Sequence, residues 1–185
     1  YSSRFDRDHT FETNPQPDDP FAFDVTVNIA RLNGSAAWDT RDDPSDSTRG
    51  TFVSTSLENA TARLGSDLLF IRSLTQAYHF RSWRNVVFAS AVRYGAVAPR
   101  GDQILTSSSR FFAGGARTVR GVFEDSLGGL DFLGQPIGGK GLLTLNQEVR
   151  FPIYRWLRGV TFLDLGNAFP EISDVRVKDL VGSSA

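Results

Sequence analysis

Two stretches of this sequence alternate with a period of two, and no stretch carries a long apolar pattern at helical spacing. In the segment 140–151, Thr144, Asn146, Glu148 and Arg150 share one face, while Leu143, Leu145, Val149 and Phe151 share the other, with Gln147 the exception. In 158–168, Phe162, Asp164 and Gly166 alternate with Leu163 and Leu165. Successive side chains of an extended chain point to opposite faces, so this spacing belongs to strands with one polar and one apolar side. Glu148 and Asp164 both fall on the polar side.

Five more segments read as strands: 1–13, one within 22–41, 51–60, 67–80 and 84–97. Asn14–Pro20 is a Pro/Asp loop, and Asp42–Gly50 is a polar turn. Segment 84–95 sets Phe88, Val92 and Tyr94 against Ala89, Ala91 and Arg93. The faces of 67–80 stay open, because Arg72 has the parity of Phe70 and Leu74. The links at 81–83 and 152–157 are short, whereas 98–139 is a long Gly-rich loop. Short turns on one rim and long loops on the other are the pattern of an up-and-down outer-membrane barrel. Trp83, Tyr154 and Trp156 lie at the short turns, where an interfacial girdle would be. Aromatics also close hairpins in soluble sheets, so alternation and girdle together leave a membrane barrel and a soluble all-β domain both open.

Composition narrows the chemistry. With no Cys there is neither a disulfide framework nor a thiolate metal site. The formal net charge of -1 lacks the basic excess of a nucleic-acid binder. The 40% hydrophobic content is compatible with a barrel, whose strands alternate apolar and polar residues. The absence of Met and the opening of Tyr1 in mid-pattern read as a piece of a longer protein. No Gly-x-Ser-x-Gly elbow, phosphate loop or His/carboxylate cluster is present, so neither an enzyme, a metal site nor a cofactor is expected. Asp42, Asp43 and Asp46 crowd one turn, but their spacing is that of a polar turn rather than of a Ca²⁺ loop. His9 and His79 read as ordinary strand or surface histidines.

The sharpest motif is Arg110-Phe-Phe-Ala-Gly-Gly-Ala-Arg-Thr-Val-Arg-Gly121, a Gly-rich basic stretch between strands. Upstream stand Asp39-Thr-Arg-Asp-Asp-Pro44 and Thr48-Arg-Gly50. Downstream come Asn146-Gln-Glu-Val-Arg-Phe-Pro152 and Phe162-Leu-Asp-Leu-Gly-Asn167. In this order the motifs resemble those of the outer-membrane β-barrel assembly factor superfamily, the bacterial surface antigen family of BamA-like and TamA-like proteins. The resemblance covers about residues 30–170. Its one departure is Val122 directly after Val119-Arg120-Gly121, where an aromatic is frequent; here Phe123 follows instead.

The resemblance implies an all-β, antiparallel, partial transmembrane barrel: about six or seven strands of a barrel of about sixteen. Residues 1–185 would form one partial barrel domain, with POTRA domains and the terminal barrel strands outside it. It implies that the long loop folds into the lumen, with Arg120 meeting Asp164 first and Glu148 second. Gly114, Gly115 and Gly121 would permit the turns and the close approach to the wall. It further implies a non-enzymatic factor, integral to the bacterial outer membrane, that assembles or inserts outer-membrane proteins without a cofactor. Its partners would be unfolded outer-membrane protein substrates, the lipid bilayer and periplasmic or lipoprotein accessory subunits, with no nucleic acid. Two other functions fit the same family: a polypeptide-translocating pore of the two-partner secretion type, and a barrel anchor for a fused lipase.

Overall fold

Period-two alternation with no helical competitor produces a strand meander. The computed structural model describes residues 2–13 and 24–184. Eight strands follow one another as hydrogen-bonded neighbours in one sheet, in chain order. They are β1 (Ser2–Thr13), β2 (Asp24–Asp39), β3 (Gly50–Ala60), β4 (Phe70–Trp83), β5 (Val86–Pro99), β6 (Gly141–Tyr154), β7 (Leu157–Phe169) and β8 (Val181–Ser184). Every adjacent pair is antiparallel. The seven expected strands are all present. The short β8 is additional, since Val181-Gly-Ser-Ser184 is too brief to carry an alternation signal. The Asn14–Pro20 loop lies outside the described residues. Among the described residues no helix is long and apolar enough to cross a membrane, a statement that says nothing of strands.

Register assigns the faces, because directly opposed residues lie on the same side of a sheet. Asn146 opposes Asp164, and Glu148 opposes Phe162 on one side and Ala89 on the other. Ala89 opposes Phe80, which opposes Gly50. Following this row in both directions puts the even positions of β4, β6 and β7 and the odd positions of β2 and β5 on one face. The opposite face carries Leu32, Leu57, Ile71, Phe88, Val92 and Leu163, all large apolar side chains left exposed.

The connections sort by rim as an up-and-down meander requires. Residues 40–49, 84–85 and 155–156 lie on one rim, and 61–69, 100–140 and 170–180 on the other. Trp38, Trp83, Tyr154 and Trp156 all stand at the first rim and are exposed. The buried core does not lie between two sheets. It lies between the sheet and the long connection 100–140, where Leu105, Phe111 and Ala113 pack onto Ile29, Ala60, Phe70, Val97, Leu142 and Ala168. Every one of these wall residues belongs to the same face as Glu148 and Asp164.

Candidate functional site

The long loop is anchored first by its apolar stem. Phe111 and Gly139 exchange two backbone hydrogen bonds of 2.8 and 2.7 Å, closing the loop's base. The Phe111 ring lies over Gly95 of β5, where a Cβ would stand 2.7 Å from it. The Arg72 guanidinium also stacks on this ring, 4.2 Å from its centroid. This settles the parity of β4: Phe70, Arg72 and Leu74 do share a face. Arg72 is tolerated there because it donates to Glu58 Oε1 at 2.8 Å and covers an aromatic ring.

Beyond the stem, residues 113–127 form a small irregular hairpin whose tip carries Arg120. Thr118 Oγ1 accepts from the Gly114 N–H at 2.8 Å and donates to the Gly114 carbonyl at 2.7 Å, cinching the turn. Gly114 and Gly115 have φ of +115° and +86°, and Gly121, after the arginine, has +80°. At Gly114 a Cβ would run into the Phe123 carbonyl, so a side chain is barred by space as well as by backbone conformation. The wall in turn holds the loop's carbonyls: Asn146 Nδ2 donates to Thr118 O at 2.8 Å, and Arg93 Nη1 to Arg117 O at 2.7 Å. Val119 is fully buried against Gly166 of β7, a wall position without a side chain.

Arg120 then meets both expected carboxylates. Its Nε and Nη2 donate to Asp164 Oδ2 and Oδ1 at 2.6 and 2.8 Å, and its backbone N–H adds a third bond to Oδ2 at 3.1 Å. Its Nη1 donates to Glu148 Oε1 at 2.6 Å. The guanidinium lies 3.9 Å above the Phe162 ring, so a cation–π contact covers its face while its edge is bonded. Asp164 has no exposed surface, and Asn146 Nδ2 completes its shell with a bond of 2.8 Å to Oδ1. Glu148 is bridged on its other oxygen by Arg150, at 3.0 Å.

The structure therefore brings Arg120, Asp164 and Glu148 into one cluster. It sets Gly121 beside them, with Gly114 and Gly115 at the base of the same hairpin. Sequence reasoning passed over Asn146, Phe162, Arg93 and Gly166 as members of the site. The first two were legible: they share the parity of the carboxylates and sit within the same motifs. Gly166 shares that parity and motif as well, but its contribution is an empty space; Arg93 acts through the loop backbone, which leaves no pattern in a sequence. His79, read as an ordinary strand or surface histidine, shares a 2.9 Å hydrogen bond between its Nδ1 and Thr51 Oγ1.

The turn 40–49 is a second ordered motif. Arg41 forks onto Asp39 with bonds of 2.9 and 2.7 Å and lies over Phe52. The Asp42 carboxyl accepts from the Thr48 hydroxyl and from the N–H groups of Arg49 and Thr48, which hold it well below the usual carboxylate range. Asp43 accepts from the Ser45 N–H at 2.7 Å, and Asp46 pairs with Arg158 at 2.7 Å. Each carboxylate of this turn thus faces a different protein donor, and among the described residues no group of acidic or histidine side chains is gathered for a metal.

Comparison with known proteins agrees with this architecture. Among 65 solved chains that match is the crystal structure of BamA from Haemophilus ducreyi lacking POTRA domains 1-3. The TM-score is 0.73 at 16% identity, over 92% of this chain. The chain spans 38% of the length of that structure, and at this identity the likeness is one of fold. No curated protein sequence matches. The family model of the Omp85 superfamily domain matches residues 12–179, nearly the whole length, and the chain belongs to that superfamily.

Proposed function

We propose that this chain is a section of an integral outer-membrane β-barrel that assembles or inserts other outer-membrane proteins, with Arg120 as the latch of a lumen-inserted loop. The observation that carries the latch is the junction of Arg120 with Asp164 and Glu148. A loop arginine bound only for solubility has no need of a fully buried carboxylate, whose desolvation demands a matched set of donors. The membrane reading is supported by family membership, by the apolar side chains exposed on the outer face and by the aromatics gathered at one rim. On this reading the outer face meets acyl chains, the loop-bearing face is the lumen, and the rim of short turns faces the periplasm.

The work of such a barrel is positional rather than covalent. The latch holds one conformation of the loop against the wall. Unfolded barrel precursors present unpaired strand edges that another sheet edge pairs with by main-chain hydrogen bonds. Neither cofactor nor nucleotide enters this scheme, and accessory subunits would meet the barrel from the periplasmic side.

Reconstitution tests it. Full-length protein in liposomes is given an unfolded barrel precursor, and the folded, protease-resistant product is measured. Accelerated folding that falls in the Arg120→Glu variant and partly returns on adding Asp164→Arg supports the proposal. Passage of a soluble unfolded polypeptide across the membrane, without folding of the barrel precursor, would replace assembly by secretion.

A further inference from the structure

We propose that the short-turn mouth of the lumen is a binding groove for an acidic, extended polypeptide segment. The groove has a volume of about 640 Å³ and lies among the turns 40–49, 84–85 and 155–156. Five guanidinium groups line it: Arg49, Arg84, Arg150, Arg155 and Arg158. Two carboxylates, Asp42 and Asp46, stand against them.

Both carboxylates are already committed. Asp42 is taken by the Thr48 hydroxyl and the backbone of its own turn. Asp46 is shared by Arg158 at 2.7 Å and Arg150 at 3.9 Å. Arg49 donates to the Ser82 hydroxyl at 2.8 Å, while Arg84 and Arg155 lie over the rings of Trp83 and Tyr154. None of these three guanidinium groups has a carboxylate partner among the described residues. An aromatic face or a hydroxyl orients a guanidinium without neutralising it, so the positive charge stays available to a ligand. Arg84 and Arg155 also take positive φ, of 55° and 22°, in the two tight turns, a conformation usual for Gly or Asn.

The direction of the groove selects its occupant. By register five of its six strand residues, Ser82, Val87, Arg150, Pro152 and Arg158, belong to the loop-bearing face, and Phe151 alone belongs to the outer one. The groove therefore opens toward the lumen rather than toward the apolar outer surface. A lipid headgroup would approach from that outer surface. An extended chain entering the lumen mouth passes the arginines, and guanidinium forks match the carboxylates of Asp and Glu. Close juxtaposition of opposite charge at a mouth raises the rate of capture as well as affinity.

The proposal rests on the barrel reading for the orientation of the lumen, but not on whether clients are assembled or secreted. The probe is a fluorescent Glu-rich peptide, titrated onto the full-length protein in uncharged nanodiscs, with a Lys-rich peptide of equal length as control. The Glu-rich peptide alone should bind, and binding should weaken steeply between about 0.05 and 0.5 M salt. The triple variant Arg49→Glu, Arg84→Glu and Arg155→Glu should bind roughly tenfold or more weakly, with its fold checked by retained resistance to trypsin. Equal binding of both peptides, or full binding by the folded triple variant, overturns the proposal. So does binding of wild type to anionic vesicles in place of peptide, which would assign the arginines to lipid. If the triple variant does not fold, Arg84→Gln with Arg155→Gln gives the same reading with smaller amplitude. A protein that binds the peptide yet neither folds nor passes a client would leave this groove standing and sink the assembly reading.

Discussion

Val119 of the loop lies against Gly166 of the wall, and a Cβ built on that glycine would stand 2.6 Å from Val119 Cγ2. The loop therefore reaches the sheet at a place where the sheet has no side chain, immediately beside the Arg120 junction. Gly166→Ala should push Val119 outward and loosen the loop at a cost of about 1–3 kcal/mol, the usual range for overpacking. Gly34 of β2 supplies the control, since a Cβ there meets nothing within 4 Å. Protease accessibility of 100–140 in the full-length protein should rise for Gly166→Ala and stay unchanged for Gly34→Ala. Equal behaviour of the two variants would count against this packing.

The Arg120 junction makes a sharper demand, because Asp164 is wholly buried while Arg120 keeps 29% of its side-chain surface. Arg120→Ala leaves the carboxylate with Asn146 as its side-chain donor, and such an orphaned buried charge costs about 3–5 kcal/mol. Arg120→Lys should recover little. One ammonium cannot bridge both Asp164 oxygens and Glu148 in the plane of a fork while covering Phe162. Loop protection and precursor folding should fall together in both variants. Wild-type protection in Arg120→Lys would mean that charge alone holds the loop.

Much of this arrangement is legible in the sequence. Seven strands follow from alternation and turn residues, and the parity of Glu148 and Asp164 puts both on the correct face. Their partner is a different matter: Arg120 lies 28 and 44 residues away in a loop, and only the family resemblance singled it out. The faces of β4 were illegible for a physical reason. Alternation reports one wet and one dry side, and under the loop stem both sides of the sheet are apolar. Phe70, Val97 and Leu142 are buried there by Phe111 and Leu105, while Ile71 and Leu143 point the other way. Gln147 broke the pattern for the opposite reason: on the outer face it accepts from the Ser90 hydroxyl of the neighbouring strand.

The turn 40–49 should resist mild acid. Hydrogen bonds from Thr48 and Arg49 depress the Asp42 pKa in the folded protein. A depressed carboxyl stabilises the fold above its unfolded value of about 3.9, and loses that contribution only as pH falls through the lower, folded value. The Thr48 and Arg49 amides should therefore keep their protection from hydrogen exchange at about pH 4, where an ordinary aspartate is half protonated. In Asp42→Ala both amides should exchange faster at every pH. Loss of protection in wild type already at that pH would show that the carboxylate does not hold the turn.

The Phe111 stem and the Arg120 junction contact the same loop by different physics, and their coupling can be read from a double-mutant cycle. Phe111→Ala empties the space between Gly95 and Arg72 and should cost about 3–5 kcal/mol of loop anchoring. Arg120 and its carboxylates are untouched by that change, as Phe111 is by Arg120→Ala. If residues 111–139 move as one body, either substitution alone releases most of the loop. The double variant should then lose less than the sum of the two single losses, because a loop already detached has little left to lose. Independent anchors would instead add. Exchange protection of the Phe111 and Gly139 amides, which bond each other, and of the Arg120 N–H, which bonds Asp164, measures the two ends separately. Additive losses, with the Phe111 amide unaffected by Arg120→Ala, would divide the loop into two units and restrict the latch to its tip.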